Sequence, residues 1–375
     1  MATPEDASTS VPGSRVGSRV VVRDDDTVIS AAAATPSASA DIGRRLEGTM
    51  LGPYRLDAFV GGGGMGAVFR ALDTTLDRTV AVKVLAGRQA DDEETLRRFR
   101  NEAQSAARLD HENIGRVHAV GSDAGWHYIV FEYIEGRNIR DMVREDGPFD
   151  VARTIDVTLQ VADALDHAAG RDVVHRDIKP SNIVITPAGR ARIVDMGLAR
   201  LAPMAGDGDL TTSGVTLGTF DYIAPEQARD ARAADVRSDL YSLGCTIFYM
   251  LVGRPPFSEG TMVQKLLQHQ QETPPAVESL RPDVPRRFSA IIGRLMAKDP
   301  ADRHQTPAEL MADLVACAEA EDVRLPGGLP AAAVVAIADP DRRAAVLPWL
   351  VPLLALGGIV ATLWLRSALE RAAVP

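Results

Sequence analysis

The stretch Val174-His175-Arg176-Asp177-Ile178-Lys179-Pro180-Ser181-Asn182 constrains this chain more than any other. It sets Asp177, Lys179 and Asn182 at spacings of two and five on a short loop, with an apolar stretch before it and Ile183-Val184-Ile185 after it. Thirteen residues past Asn182 comes a second acidic position, Asp195-Met196-Gly197. The fold must therefore hold two chemically dense loops side by side on apolar supports. Two carboxylates, an amide and an ammonium in adjacent loops suit phosphoryl transfer. One carboxylate orients a hydroxyl, the other and the amide hold Mg²⁺, and the ammonium offsets phosphate charge. A solvated polar loop between two strands accounts for a lone His-Arg-Asp tripeptide, but not for the whole run followed by Asp195-x-Gly197.

Composition sets the outer bounds. With 46% hydrophobic and 25% charged residues the chain can build a sizeable core. Its 375 residues are enough for one large domain with appendages or for two modest ones. A net charge of −10 argues against a nucleic-acid partner. The two cysteines, Cys245 and Cys317, are far apart and fit neither a disulfide framework nor a cysteine zinc site; they suit a reducing compartment. Residues 1–30 are polar and acidic, with no apolar stretch of the kind a secretory signal carries.

Residues 1–50, rich in Ala, Ser, Thr, Asp and Gly, show no helical or strand period and read as a disordered tail, with order beginning near Tyr54. Strands are expected at 54–60, 67–73 and 79–86, then a helix at 91–108 with Leu96, Phe99, Ala103 and Ala106 at helical spacing. Two more strands follow near 114–120 and 127–133. From Ile139 to Ala320 helices dominate, interrupted by the loops that carry the chemistry. The pattern is α+β: a small β-rich lobe, a hinge near Tyr133–Gly136, and a larger α-rich lobe.

The turn Val60-Gly61-Gly62-Gly63-Gly64-Met65-Gly66-Ala67-Val68 contains Gly61-x-Gly63-x-x-Gly66. Glycines there let backbone N–H groups approach phosphates closely. A dinucleotide fold would need a helix after the last glycine, yet Ala67-Val68-Phe69-Arg70 continues as a strand. What survives is a turn between antiparallel strands folded over phosphates, or a merely flexible hairpin. In Val80-Ala81-Val82-Lys83-Val84-Leu85 a lysine interrupts an apolar strand. It either faces water at an edge or needs a partner. Glu102, beside the apolar stripe of the next helix, can reach it, leaving the ammonium to hold α- and β-phosphate oxygens.

Glycine loop, Val80-Ala81-Val82-Lys83, Glu102, His175-Arg176-Asp177, Asn182, Asp195-x-Gly197 and Ala224-Pro225-Glu226 occur in order. In these the chain resembles the eukaryotic-type protein kinases, specifically the bacterial membrane-anchored (Hanks-type) serine/threonine kinases, over residues 54–320. The resemblance implies a bilobal kinase fold and transfer of the ATP γ-phosphate to Ser or Thr of protein substrates, with Mg²⁺ as the metal and Mn²⁺ as its substitute. Asp177 would orient the acceptor hydroxyl, Lys179 steady the γ-phosphoryl group, and Asn182 and Asp195 hold the metal. The nucleotide would be bound by Val60, Gly61, Gly63 and Gly66 at the loop, by Lys83 held by Glu102, by Val68, Ala81 and Val184 around adenine, and by the backbone of Glu132 and Ile134 at its edge, with Phe131 as gatekeeper. Lys179, with Thr219, marks the Ser/Thr subclass. Asp239 would bond the catalytic-loop backbone and Arg303 would pair with Glu226. Residues 195–226 would be an activation segment in which Thr211, Thr212, Ser213 or Thr216 is autophosphorylated and paired with Arg176. The family's usual Asp-Phe-Gly is Asp195-Met196-Gly197 here, an apolar exchange that touches no metal. Gly62 and Gly64 exceed what the loop requires and are expected to raise its mobility.

Beyond a linker at 321–343, residues 344–365 carry no charge and as a helix would span about 33 Å, enough for one bilayer crossing. Trp349 and Trp364 lie near its ends. Because ATP is inside the cell, the expectation is a single-pass inner-membrane protein with a cytoplasmic kinase domain and a short extracytoplasmic tail, 366–375, without a sensor domain. The family further implies a homodimer and autophosphorylation in trans. The main alternative is a nucleotide-binding pseudokinase scaffold, which would be expected to lack Lys83, Asp177 or Asp195; all three are present.

Overall fold

The structure, a computed structural model, describes residues 38–63, 66–85, 93–195 and 217–327. The N-terminal lobe opens with a helix, α1 (Ala38–Leu46), and a short strand, β1 (Met50–Leu51). Five longer strands follow: β2 (Tyr54–Gly63), β3 (Gly66–Asp73), β4 (Arg78–Leu85) and, after helix α2 (Glu93–Ala106), the hairpin β5 (Val117–Asp123) and β6 (Trp126–Glu132). They form one antiparallel six-stranded sheet in the order β1-β2-β3-β4-β6-β5.

Alternation along β4 sorts the two faces of that sheet. Val80, Val82 and Val84 join Leu56, Ala67, Phe69 and Ala71 in one apolar cluster. On the opposite face Leu85 packs with Phe99 and Ala103 of α2 and with Ile129. Ala81 and Lys83 share that second face, the one the helix carrying Glu102 covers.

Of the tail expected to be disordered to residue 50, residues Ala38–Leu46 form α1 and Met50 opens β1. Ile42 and Leu46, four apart on α1, are buried in the outer cluster of the sheet. So short a helix is stabilised by its docking rather than by its own propensity.

The C-terminal lobe holds β7 (Arg137–Asn138), α3 (Ile139–Asp146), α4 (Val151–Ala169), β8 (Ile183–Ile185), β9 (Ala191–Ile193), α5 (Pro225–Arg229), α6 (Val236–Val252), α7 (Met262–Gln271), α8 (Val277–Leu280), α9 (Arg286–Leu295) and α10 (Pro307–Ala320). Helix α6 is apolar nearly all round and buried along its length, as a central helix must be. Asp235 caps its first turn, and Gly253, at φ +84°, ends it in a left-handed conformation. A Cβ at Gly244 would lie 2.8 Å from Leu295 Cβ, so this glycine lets α6 and α9 close together. Where helices are expected to dominate, β7, β8 and β9 form a three-stranded sheet, and it carries the catalytic run. The start of the expected linker packs on this lobe: Val323 and Leu325 lie on its core, and Gly327 N–H donates to Asp156 Oδ1 at 3.0 Å. Among the described residues no helix is long and apolar enough to cross a membrane. The run 344–365 lies outside them, as do residues 1–37.

Helix α7 docks on α6 through His269, whose Nδ1 lies 2.9 Å from Tyr241 Oη and whose carbonyl accepts from Lys298 Nζ at 2.9 Å. Burial, with the Lys298 charge beside it, pushes the His269 imidazole down to about 3. The ring therefore folds neutral, while an unfolded chain protonates it below about pH 6.5, so its contribution to stability is full above that pH and falls as pH drops. Comparison with His269→Gln isolates this group from every other titrating residue. Wild type should lose about 1 kcal/mol relative to the variant for each pH unit below about 6. Denaturant unfolding at pH 7.5 and 5.5 measures it, and a pH-independent difference between the two proteins refutes it.

Candidate active site

Residues 174–182 leave α4 and lead into β8 by way of a single 3-10 turn, Pro180–Asn182, whose first position suits proline. Asp239, on the buried helix α6, organises the loop. Its two carboxylate oxygens accept the backbone N–H groups of His175 and Arg176, each at 2.7 Å. Arg176 sits at φ +66°, a left-handed conformation that costs a bulky residue on the order of 1–3 kcal/mol. The paired N–H bonds to Asp239 hold it there. Gln227 Nε2 adds a bond to the Arg176 carbonyl at 2.8 Å, tying the loop to α5. His175, pushed down to about 4 by burial, accepts the Asp177 N–H on Nδ1 at 3.2 Å.

On this frame the polar groups converge. Lys179 Nζ donates to Asp177 Oδ2 at 2.8 Å, and Asn182 Nδ2 donates to the same oxygen at 3.1 Å and to the Asp177 carbonyl at 2.9 Å. Asn182 thus turns its amide nitrogen to Asp177, while its amide oxygen accepts a long bond from Ser181 Oγ at 3.4 Å. The Asn182 carbonyl accepts the Val194 N–H at 2.9 Å, which fixes Asp195 beside the loop. Asp195 is also left-handed, at φ +59°. Lys83 Nζ crosses from the other lobe to Asp195 Oδ1 at 2.8 Å, closing the cleft with an ion pair. The expected Lys83 partner, Glu102, lies on α2 with its side chain outside the described residues, and so do Met196, the hydroxyls of 211–216 and the Thr219 side chain.

The groups expected around a nucleotide fall on the cleft faces. Val68 is registered opposite Lys83, and Ala81 opposite Phe131. Ala81, Ile134 and Val184 are buried. The Glu132 N–H is used by the Arg116 carbonyl at 2.8 Å, and its carboxylate by Arg192 at 2.5 Å, so its carbonyl is the group a ligand would meet. Val60, Gly61 and Gly63 end β2, and Gly66 opens β3. A Cβ at Gly66 would lie 1.9 Å from the Val84 carbonyl oxygen, so only glycine can start that strand. The donor set at Asn182 and Asp195 fits Mg²⁺: hard oxygen ligands, few in number, to be completed by phosphates and water.

Some members of the site were not foreseen. Gln227 and the Arg192–Glu132 pair, which ties the hinge to β9, join positions whose sequence separations are 51 and 60 and leave no local signal. The Glu226–Arg303 pair is as expected: two bonds, 2.7 and 2.8 Å, with Ser238 Oγ adding a third to Glu226 at 2.6 Å.

A curled β-sheet lobe over a helical lobe, with Lys83, Asp177, Asn182 and Asp195 at their junction, is the protein kinase fold, and a profile described as protein kinase domain matches residues 54–314. The chain belongs to that family. It is similar to the serine/threonine-protein kinase PrkC of Bacillus subtilis, 38% identical over 280 residues, covering 75% of this chain and 42% of PrkC. It is also similar to the serine/threonine-protein kinase PknB of Mycobacterium tuberculosis, 38% identical over 293 residues, covering 77% and 45%. The chain thus matches under half the length of these curated relatives. Among solved structures, the Mycobacterium tuberculosis PknI kinase domain superposes with a TM-score of 0.58 at 29% identity, covering 74% of this chain and 99% of that one.

Proposed function

We propose that this chain is a serine/threonine protein kinase that transfers the γ-phosphate of ATP to Ser or Thr hydroxyls of proteins. The observation that carries the reading is the convergence of Lys179 and Asn182 on Asp177, next to the Lys83–Asp195 pair. Asp177 orients the acceptor hydroxyl and takes its proton as the bond to phosphorus forms. Lys179, already beside that carboxylate, offsets charge on the transferred group. Lys83 holds the phosphates that stay behind. Asn182 and Asp195 hold Mg²⁺, which when bound neutralises phosphate charge. Val68, Ala81 and Val184 enclose adenine. The curated relatives, named as serine/threonine kinases, favour that acceptor class.

Arg176 Nε is buried and has no hydrogen-bond partner among the described residues. It is the cation to which a phosphate on residues 211–216 would pair. The uncharged run 344–365 anchors the chain to the inner membrane with the kinase domain on the ATP side.

One preparation tests the reading. Membranes carrying the full chain are washed with alkali, then supplied with Mg²⁺ and γ-labelled ATP. Label is expected on phosphoserine or phosphothreonine in washed membranes. Nucleotide binding without label transfer points instead to a scaffold; label on tyrosine, or a chain released by the wash, refutes the acceptor or the anchor respectively.

A further inference from the structure

Helix α1 lies outside the segment the kinase profile matches, which begins at residue 54, yet it is built into the lobe that faces the nucleotide. Its apolar residues Ile42 and Leu46 are buried with Phe69, Val82 and Val84, on the sheet face opposite Lys83. Two close approaches lock it there. A Cβ at Gly43 would lie 2.8 Å from the Phe59 ring, so the helix backbone rests directly on that ring. At the other contact, a Cβ at Gly62 would lie 2.5 Å from Ser39 Cβ, so Ser39 is seated on the glycine turn itself. Ser39 is 5% exposed. Arg45, near the end of α1, lies over the Trp126 ring at 5.6 Å, and the Gly48 N–H donates to the Leu56 carbonyl at 2.7 Å, so the chain leaving α1 is also fixed to the sheet.

These contacts change the meaning of Gly62. As a surplus glycine it is expected only to loosen the turn; in the fold it is the floor on which Ser39 sits. Phe59, held under Gly43, makes an edge contact with Phe69 at 5.8 Å between ring centres, so both strands flanking the turn bear on the helix.

We propose that α1 is a positioning element for the phosphate-facing turn: through Ser39 on Gly62 and Gly43 on Phe59 it holds β2 and β3 in the geometry that receives the triphosphate of the nucleotide. The inference rests on the kinase reading. A turn held in place beforehand loses less freedom when it closes on phosphates, so affinity for the triphosphate depends on the helix. Adenosine, which has no phosphates, should not feel it.

The test measures Kd for Mg·ATP and for adenosine in the full chain and in two variants. Gly43→Val crowds Phe59 and lifts the helix. Ser39→Gly removes the side chain seated on the turn but keeps the apolar anchors, so it serves if the first variant folds poorly. The expected result is a Kd for Mg·ATP raised about fivefold in the first and less in the second, with adenosine changed by under about twofold in both. A helix that merely stabilises the lobe would lower Tm and leave both Kd values in place. That result, or equal weakening of both ligands, overturns the proposal. A wild-type chain that binds neither ligand overturns the kinase reading beneath it.

Discussion

Asp177→Asn is expected to lower kcat for protein phosphorylation by about three orders of magnitude while leaving KM for ATP within about threefold. The substitution is nearly isosteric, so the bonds that shape the loop can persist: the Asp177 N–H still donates to His175 Nδ1, and the Asp177 carbonyl still accepts from Asn182. What disappears is the negative charge. An amide oxygen can still accept a bond from Lys179, but it cannot take up the proton of a Ser or Thr hydroxyl as that oxygen bonds to phosphorus. On the proposed reading the nucleotide contacts lie elsewhere, on Lys83, Ala81, Val68 and the hinge, so ground-state binding of ATP should be spared. Steady-state rates against ATP and against protein substrate read the two parameters separately. A variant that keeps more than about a tenth of wild-type kcat would show that Asp177 does not take the proton.

The residues in that argument were legible in the sequence because chemistry restricts their identity. A carboxylate, an ammonium and an amide at fixed short spacings have few other uses, and Asp177, Lys179 and Asn182 meet in space as they do along the chain. Asp239 and Arg303 were legible only through the resemblance to protein kinases: Arg303 stands in the polar run Lys298-Asp299-Pro300-Ala301-Asp302-Arg303, where nothing local calls for a partner. What the sequence could not carry is long-range pairing. The Lys83–Asp195 contact joins residues 112 apart across two lobes, and only the closure of the cleft decides that it forms. Helix α1 was missed for the opposite reason: it is only nine residues long, and what fixes it is a sheet face that already exists, on which Ile42 and Leu46 dock. The left-handed backbone at Arg176 is likewise imposed from outside, by a carboxylate 63 residues away.

Arg303→Met is expected to be the most damaging change outside the catalytic loop. Arg303 is fully buried, and its guanidinium bonds both oxygens of Glu226 as well as the carbonyls of Arg237, Ala297 and Lys298. Burial alone would raise the Glu226 pKa; the bonds from Arg303 and Ser238 outweigh it and hold the carboxyl below its usual value. Removing the arginine leaves that anion buried and half-satisfied, at a cost of about 3–5 kcal/mol, or roughly 10 °C in Tm for a domain of this size. Removing Glu226 as well, in Glu226→Gln/Arg303→Met, takes away the orphaned charge, so the double variant should be less destabilised than the sum of the singles. Additive losses in thermal or denaturant unfolding, or a shift under about 2 °C in Arg303→Met, would show that the pair is not the anchor claimed here. Activity should fall further than stability explains. Gln227, next in sequence to Glu226, bonds the Arg176 carbonyl, and Arg176 precedes Asp177. A loosened Glu226 therefore reaches the catalytic carboxylate through two peptide units joined by the single Gln227 hydrogen bond, and kcat should drop in protein that is still folded at the assay temperature.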